Sequence, residues 1–382
     1  MNYIKHIKEY VLNYKNIRNE QKKLTNNKKN IIFQISTLYH FEIIKDLFLE
    51  LKKNKNVNLI LAIDSFNIEG VNYLKPYTKN IIPSNIIRYL KNIKLFIKTS
   101  YEIFGPKNTE QVLIFHGFPV KNTSIKKEYI DNIDYYFTSS KLEESVYRYI
   151  SKNLIEKEKF KKIGYTKLDK LFSQNYKISI KYHKREKNII YAPSWDEGTS
   201  LRTYGVELLE LIANNFQSYN LFVKLHPALL ENSYSKNFKF YTGGVNWEEK
   251  ILSLKKKYKN LYFIKDNLVD LIKIGDLLIT DISGAALEFI YFNKKVLFIE
   301  SEKFYKKTQK ERNFDASLSK NSIKFNGGRN YGMKIKKLSD VVPKIKKTID
   351  KKVNHSFRKK FPYYNEGLAI KAAINEIYHY IE

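Results

Sequence analysis

The chain contains no cysteine, only two tryptophans and two methionines, and eight prolines in 382 residues. Without cysteine there is no disulfide and no thiolate metal site, and the compartment stays open on that ground. Arginine is scarce too, at eight of the 69 basic residues. Base-edge readout and bidentate phosphate clamps favour the planar guanidinium, so a formal charge of +30 is a weak argument for nucleic acid. The excess is lysine beside abundant Asn, Ile, Tyr and Phe, a mixture that AT-rich coding produces by itself. No nucleic-acid partner is expected, while an anionic membrane face or a polyanionic substrate is compatible with the charge. No apolar run approaches the ~20 residues needed to cross a bilayer. Residues 1–29 scatter Lys, Asn and Glu, unlike a secretory signal, so the cytoplasm is the default expectation.

A hydrophobic content of 43% fits a globular chain, and the length suffices for two ordinary domains. Apolar runs of strand length recur at 31–35, 57–63, 94–98, 112–115, 135–138 and 161–164, then at 188–192, 221–225, 261–264, 276–280 and 296–299. Helical spacing fills the gaps at 41–52, 142–150, 206–214, 247–258 and 285–292. The alternation predicts an α/β fold with parallel sheets, and runs apolar on both faces predict strands covered from each side. The polar, basic stretch 173–187 marks a boundary. Expected domains are 1–175 and 186–362, with a closing helix in 363–382 that packs back on the first.

The most informative segment is 276–288. A buried strand stops at Thr280-Asp281 and opens into a helix whose start is Ser283, Gly284, Ala285 and Ala286. Nothing bulky shields those first N–H groups, which makes the positive helix end a seat for phosphate. The same segment also reads as a well-capped helix in any α/β protein. Two earlier strands end in histidine. In the first, Val112-Leu-Ile-Phe-His116, the chain then turns through Gly117 and Pro119 towards Lys121. A histidine there has a pKa suited to taking a proton from a hydroxyl, or is satisfied by loop backbone. The second, Leu221-Phe-Val-Lys224-Leu-His226-Pro227, sets Lys224 and His226 on one strand face, where both can donate to a shared anion. Tyr191-Ala-Pro193-Ser194-Trp195 is a strand followed by a loop that lines a cleft or packs as a turn. The adjacent Asp196 and Glu197 diverge, and a solvated turn is expected there rather than a metal site. Gly164-Tyr165 begins another strand-to-helix turn, and Arg312 is a phosphate contact or a surface ion pair.

Taken in order, these segments resemble the CDP-glycerol glycerophosphotransferase family of teichoic-acid and capsule synthesis. The resemblance rests on His116-Gly-Phe-Pro119, Gly164-Tyr-Thr-Lys-Leu-Asp169, Tyr191-Ala-Pro-Ser-Trp195, Lys224-Leu-His-Pro227 and Thr280-Asp-Ile-Ser-Gly284 with Glu288-Phe289. It covers residues from about 112 to 332. It implies a GT-B architecture, two Rossmann-like domains facing a central cleft, with a CDP-linked donor held mainly by the second. It further implies that His116 is the base, that His226 stabilises the transferring phosphate, and that the Ser283–Gly284 start holds the pyrophosphate. Glu288 is expected to reach the ribose. The two histidines are expected to face one cavity. Ile282 and Gly284 depart from the family's Tyr and Ser at the helix start, which leaves the donor's identity open; Lys167 departs from its Arg, and Phe118, on the acceptor side, from its Thr.

The expected activity is transfer of glycerol phosphate, or a similar polyol phosphate, to a hydroxyl of a surface polymer or lipid-linked saccharide, releasing CMP. No cofactor and no essential metal are expected. A GT-B glycosyltransferase using a nucleotide sugar and a basic polyanion-binding protein are the alternatives. Residues 1–19 space Ile4, Ile7, Val11, Tyr14 and Ile17 near a helical period among lysines. That spacing fits a helix lying on the inner face of the cell membrane, or one packed on its own domain.

Overall fold

The computed structural model describes residues 17–63, 68–118, 124–265, 268–304, 306, 322–353 and 356–382. Pro119, Lys121, Arg312 and most of the expected membrane-surface helix lie outside them. The described residues form two compact units. One runs up to Phe118 and adds Ser124–Ser173 and Tyr363–Glu382, and the other is Gln174–Pro362.

The first unit holds β1 (Lys29–Ile35), β2 (Val57–Ile63), β3 (Ile81–Pro83), β4 (Leu95–Lys98), β5 (Glu110–Leu113), β6 (Tyr135–Thr138) and β7 (Phe160–Lys162). They form one sheet in the order β3-β2-β1-β4-β5-β6-β7, and every neighbouring pair is parallel. All seven residues of β2 are buried, as strands sandwiched by helices must be. Ile31, Phe33 and Ile35 pack on one face with Phe41 and Leu47 of helix Leu38–Leu51, while Ile32, Ile60 and Phe96 form the core on the other. The strand order runs outward in both directions from β1 and β4. Their carboxyl ends therefore flank the switch point at which open sheets of this kind admit ligands.

The closing helix Ala369–Ile381 belongs to this unit, and Ala373, Ile377 and Ile381 enter its core at helical spacing. Asp169 holds it there. Its carboxylate accepts the N–H groups of Ala369 (3.0 Å) and Ile370 (2.7 Å), capping the helix from outside. Asn365 adds bonds to the carbonyls of Lys162 and Ile163. Gly164, expected to line a cleft, is pressed against this segment. At φ +102° a side chain is strained there, and its Cβ would lie 2.1 Å from the Tyr364 carbonyl oxygen.

The second unit repeats the plan with β8 (Asn188–Ala192), β9 (Asn220–Val223), β10 (Leu261–Phe263), β11 (Leu277–Thr280), β12 (Lys295–Ile299) and β13 (Met333–Ile335). The parallel order is β10-β9-β8-β11-β12-β13, with the switch point between β8 and β11. The stretch expected to hold the boundary belongs to this unit from Gln174 onward. The buried Asp270 accepts the Tyr176 hydroxyl, the Ser179 N–H and hydroxyl, and the Ile180 N–H. Among the described residues no helix is long and apolar enough to cross a membrane.

Removing the Asp169 cap tests the tie between motif and closing helix. Asp169→Ala is expected to cost about 1–2 kcal/mol, read as a lower urea midpoint at unchanged slope. An unchanged midpoint would show that the cap contributes nothing.

Candidate functional site

In the first unit the site grows from the ends of β1, β4 and β5. His116 lies just past β5, its ring Nδ1 2.6 Å from the Thr99 carbonyl oxygen at the exit of β4. A carbonyl can only accept, so Nδ1 carries the proton, and Nε2 of the neutral ring keeps a bare lone pair. Burial lowers the His116 pKa below the ordinary 6.5, and the Thr99 bond pulls weakly the other way. The imidazole is neutral at pH 7 with its basic nitrogen available. Gly117 follows at φ +153° with nothing within 4 Å of where a Cβ would stand.

His40, on helix Leu38–Leu51, is a site residue that the sequence reading does not include. Its ring stacks on His116 with centroids 4.0 Å apart and planes 12° from parallel, and its Nδ1 lies 2.9 Å from the Thr99 hydroxyl. The one signal for it is a histidine five residues past the end of a central strand. Beside Gly117, Tyr165 and Gly164 line a cavity of about 20 Å³, room for about one water. Glu143 borders it, fixed by the Ser139 N–H and hydroxyl at 2.7 and 2.5 Å, and burial pushes its pKa up to about 7.

In the second unit the adjacent strands β8, β9 and β11 bring together Pro193, Ser194, Trp195, Lys224, His226 and the segment 280–285. Ser283 caps the helix Gly284–Tyr291, its hydroxyl accepting the Ala285 N–H at 3.2 Å. Ser283, Gly284 and Ala285 are partly exposed, whereas the helix is buried from Ala286 to Tyr291. An anion therefore meets small residues and a backbone N–H at the positive helix end. His226 caps the turn Pro227–Leu230, its Nδ1 accepting the Ala228 N–H at 3.2 Å. The proton of the neutral ring then sits on Nε2, which is a donor. The two histidines carry opposite tautomers.

Several expectations change. Thr280 and Asp281, expected to hold the donor, are both buried and cross-link the ends of β8 and β11. The Thr280 hydroxyl donates to the Ala192 carbonyl at 2.6 Å. Asp281 takes the Ser194 N–H on Oδ2 (2.9 Å), the Ser200 N–H on Oδ1 (2.8 Å) and the Ser200 hydroxyl at 3.1 Å. Lys224 and His226 do not share a strand face, because β9 ends at Val223, and the buried Lys224 ammonium donates to the Leu225 carbonyl. Trp195 packs with His226, Phe240 and Tyr241, its ring centroid 5.1–6.3 Å from theirs. Asp196, expected in a solvated turn, is buried and accepts the Ser194 hydroxyl. Glu288 is buried as well.

The sequence reading also omits Asn326-Gly327-Gly328. Gly327, at φ +58°, lies on the helix start so closely that a Cβ would stand 3.3 Å from the Ser283 carbonyl oxygen. Among the described residues no three His, Asp or Glu side chains group as a metal ion would require.

Asp281 offers each oxygen to a different backbone N–H, so an amide there must turn its own NH2 against one of them. Asp281→Asn is expected to lose about 1–3 kcal/mol in a denaturant titration. Wild-type stability would remove the carboxylate from its assigned role.

A family model described as CDP-Glycerol:Poly(glycerophosphate) glycerophosphotransferase matches residues 19–369. The teichoic acid glycerol-phosphate primase of Bacillus subtilis is 33% identical over 150 residues, covering 36% of this chain and 32% of the relative. The match thus spans about a third of that relative's length. Among solved structures, the wall teichoic acid polymerase TagF aligns with a TM-score of 0.66 at 14% identity, over 99% of this chain and 96% of that one. S. aureus MnaA, in a co-structure with UDP, aligns with a TM-score of 0.58 at 14% identity, over 92% and 96%. At such identity the likeness establishes the fold, two Rossmann-like units of GT-B type. With the family model matching nearly the whole chain, this protein belongs to the CDP-glycerol:poly(glycerophosphate) glycerophosphotransferase family.

Proposed function

We propose that the chain transfers glycerol phosphate, or a similar polyol phosphate, from a CDP-linked donor to a hydroxyl, releasing CMP. The acceptor in this reading is a surface polymer or a lipid-linked saccharide. The observation that carries it is the His116 tautomer. With Nδ1 committed to Thr99, Nε2 can take only one role, that of a proton acceptor.

The acceptor hydroxyl loses its proton to His116 Nε2 as its oxygen bonds to the phosphorus bearing the polyol. The bond from that phosphorus to the bridging oxygen breaks, and CMP leaves with the electron pair. His226 Nε2–H donates to phosphate oxygens as charge builds on them, and the Ser283–Gly284 helix start seats the donor's phosphates. Positioning and charge stabilisation supply most of the acceleration, as in phosphoryl transfer generally. These groups neutralise the phosphates without a divalent ion in this reading. The lysine excess suits work beside an anionic leaflet, with the enzyme peripheral on its surface.

His116→Ala is expected to lower kcat by about 10²–10⁴-fold while binding of the CDP-linked donor persists in calorimetry. Near-normal turnover in that variant would refute the role. A base works only unprotonated, and the His116 pKa is lowered, so the acid limb of kcat/KM belongs below 6.5. A limb above that value would contradict the assignment. Incubation with CDP- and UDP-linked donors should release CMP, whereas a released nucleoside diphosphate would indicate glycosyl transfer. Excess EDTA is expected to leave turnover intact, and its loss, restored by a divalent ion, would end the metal-free reading.

A further inference from the structure

Thr99 spends both of its oxygens on imidazoles. Its carbonyl accepts from His116 Nδ1 at 2.6 Å, and its hydroxyl lies 2.9 Å from His40 Nδ1. The same hydroxyl reaches the Gln34 carbonyl of β1 at 3.1 Å, so the clamp is anchored on both sides of the switch point. The two rings lie 12° from parallel at 4.0 Å, and Phe115, itself stacked on Tyr101 at 4.8 Å, touches His116 at 4.2 Å. A ring held by one hydrogen bond still rocks about that bond. A flat neighbour in van der Waals contact removes this freedom. His40 is only 7% exposed, too buried to meet a substrate, and its Nδ1 also lies 3.3 Å from the Ser36 nitrogen, while its ring face lies on His116.

We propose that His40 is a positioning residue: stacked on His116 and pinned to the same threonine, it fixes the plane of the base so that Nδ1 stays on Thr99 and Nε2 stays presented. The inference rests on the reading of His116 as the base, but part of its test does not. Catalysis by a positioned group is steep in geometry, and a misplacement of about 1 Å costs on the order of 100-fold.

The test uses the full chain labelled with ¹⁵N-histidine, in wild-type, His40→Ala, His40→Leu and His40→Phe forms, with His116→Ala to assign the signals. Long-range ¹H–¹⁵N spectra report the tautomer without any assay. In the wild type His116 should show a protonated Nδ1 and a bare Nε2. The flat ring of His40→Phe should preserve that pattern, while His40→Leu and His40→Ala should give tautomer-averaged signals. In steady-state assays kcat should fall about 10–100-fold in the Leu and Ala forms, with KM for the CDP-linked donor little changed and most of kcat recovered in the Phe form. Thermal melts identify which forms are folded. If His40→Ala does not fold, the Leu and Phe pair decides alone.

Identical His116 spectra in the Phe and Leu forms would overturn the stacking role. A KM increase at constant kcat would overturn it too, since His40 would then be binding substrate. If no CDP-linked donor is turned over by the wild type, the reading of the base fails, while the spectra still decide whether His40 orders the ring.

Discussion

The chemistry assigned to the first unit depends on one hydrogen bond, from His116 Nδ1 to the Thr99 carbonyl. Because a carbonyl has no proton to give, the bond leaves no choice of tautomer. The partner comes from the exit of β4, brought alongside by its parallel pairing with β5. Topology, rather than the residues flanking the histidine, decides which nitrogen is basic. In the second unit the same residue type meets a backbone N–H in place of a carbonyl, and the outcome reverses. Main-chain polarity thus divides two otherwise equivalent imidazoles into an acceptor and a donor.

Both sheets gather polar groups around the switch point, although His116 follows β5 on the β4 side of one and His226 follows β9 on the β8 side of the other. In each, the strand order diverges from a central pair, β1 with β4 or β8 with β11, and the loops that leave those strands carry the polar groups. Such loops are irregular and need ties. Asp281 and Thr280 provide them in the second unit, holding residues 192–200 against the exit of β11. Thr99 provides them in the first. A buried carboxylate with both oxygens engaged by N–H groups gives the loop one course, and the helix start at Ser283 follows it directly.

Much of this was legible in the sequence, and the exceptions share a cause. Continuous apolar runs followed by a turn mark the central strands and the positions of His116, His226 and Ser283, because local pattern encodes them. Of the four three-residue edge strands, β7 and β10 coincide with expected apolar runs, whereas β3 and β13 do not. Asp281 and Thr280 read as ligand-binding because a polar turn after a strand shows its chemistry but not which backbone group it meets. Gly164 lines the small cavity beside Gly117, but its close approach to Tyr364 is invisible in sequence because that neighbour lies some two hundred residues downstream. His40 is invisible for the same reason, since ring stacking across β1 and β5 leaves no periodic trace.

The placement of Thr99 itself needs a cause, and the adjacent residue supplies it. Lys98 ends β4 fully buried, and its ammonium donates to the carbonyls of Ile103 (2.9 Å) and Asn132 (2.8 Å) and to Gln111 Oε1 (3.3 Å). Burial pushes its pKa down to about 7, while Asp134 and Glu102 draw it back up. Three acceptors matched to three protons offset part of the cost of burying the charge. They also bind the segment after β4 to two other stretches of the unit. A neutral side chain at this position would leave the Ile103 and Asn132 carbonyls without that donor. The exit of β4 would lose its fixed course, taking with it the threonine on which both imidazoles hang.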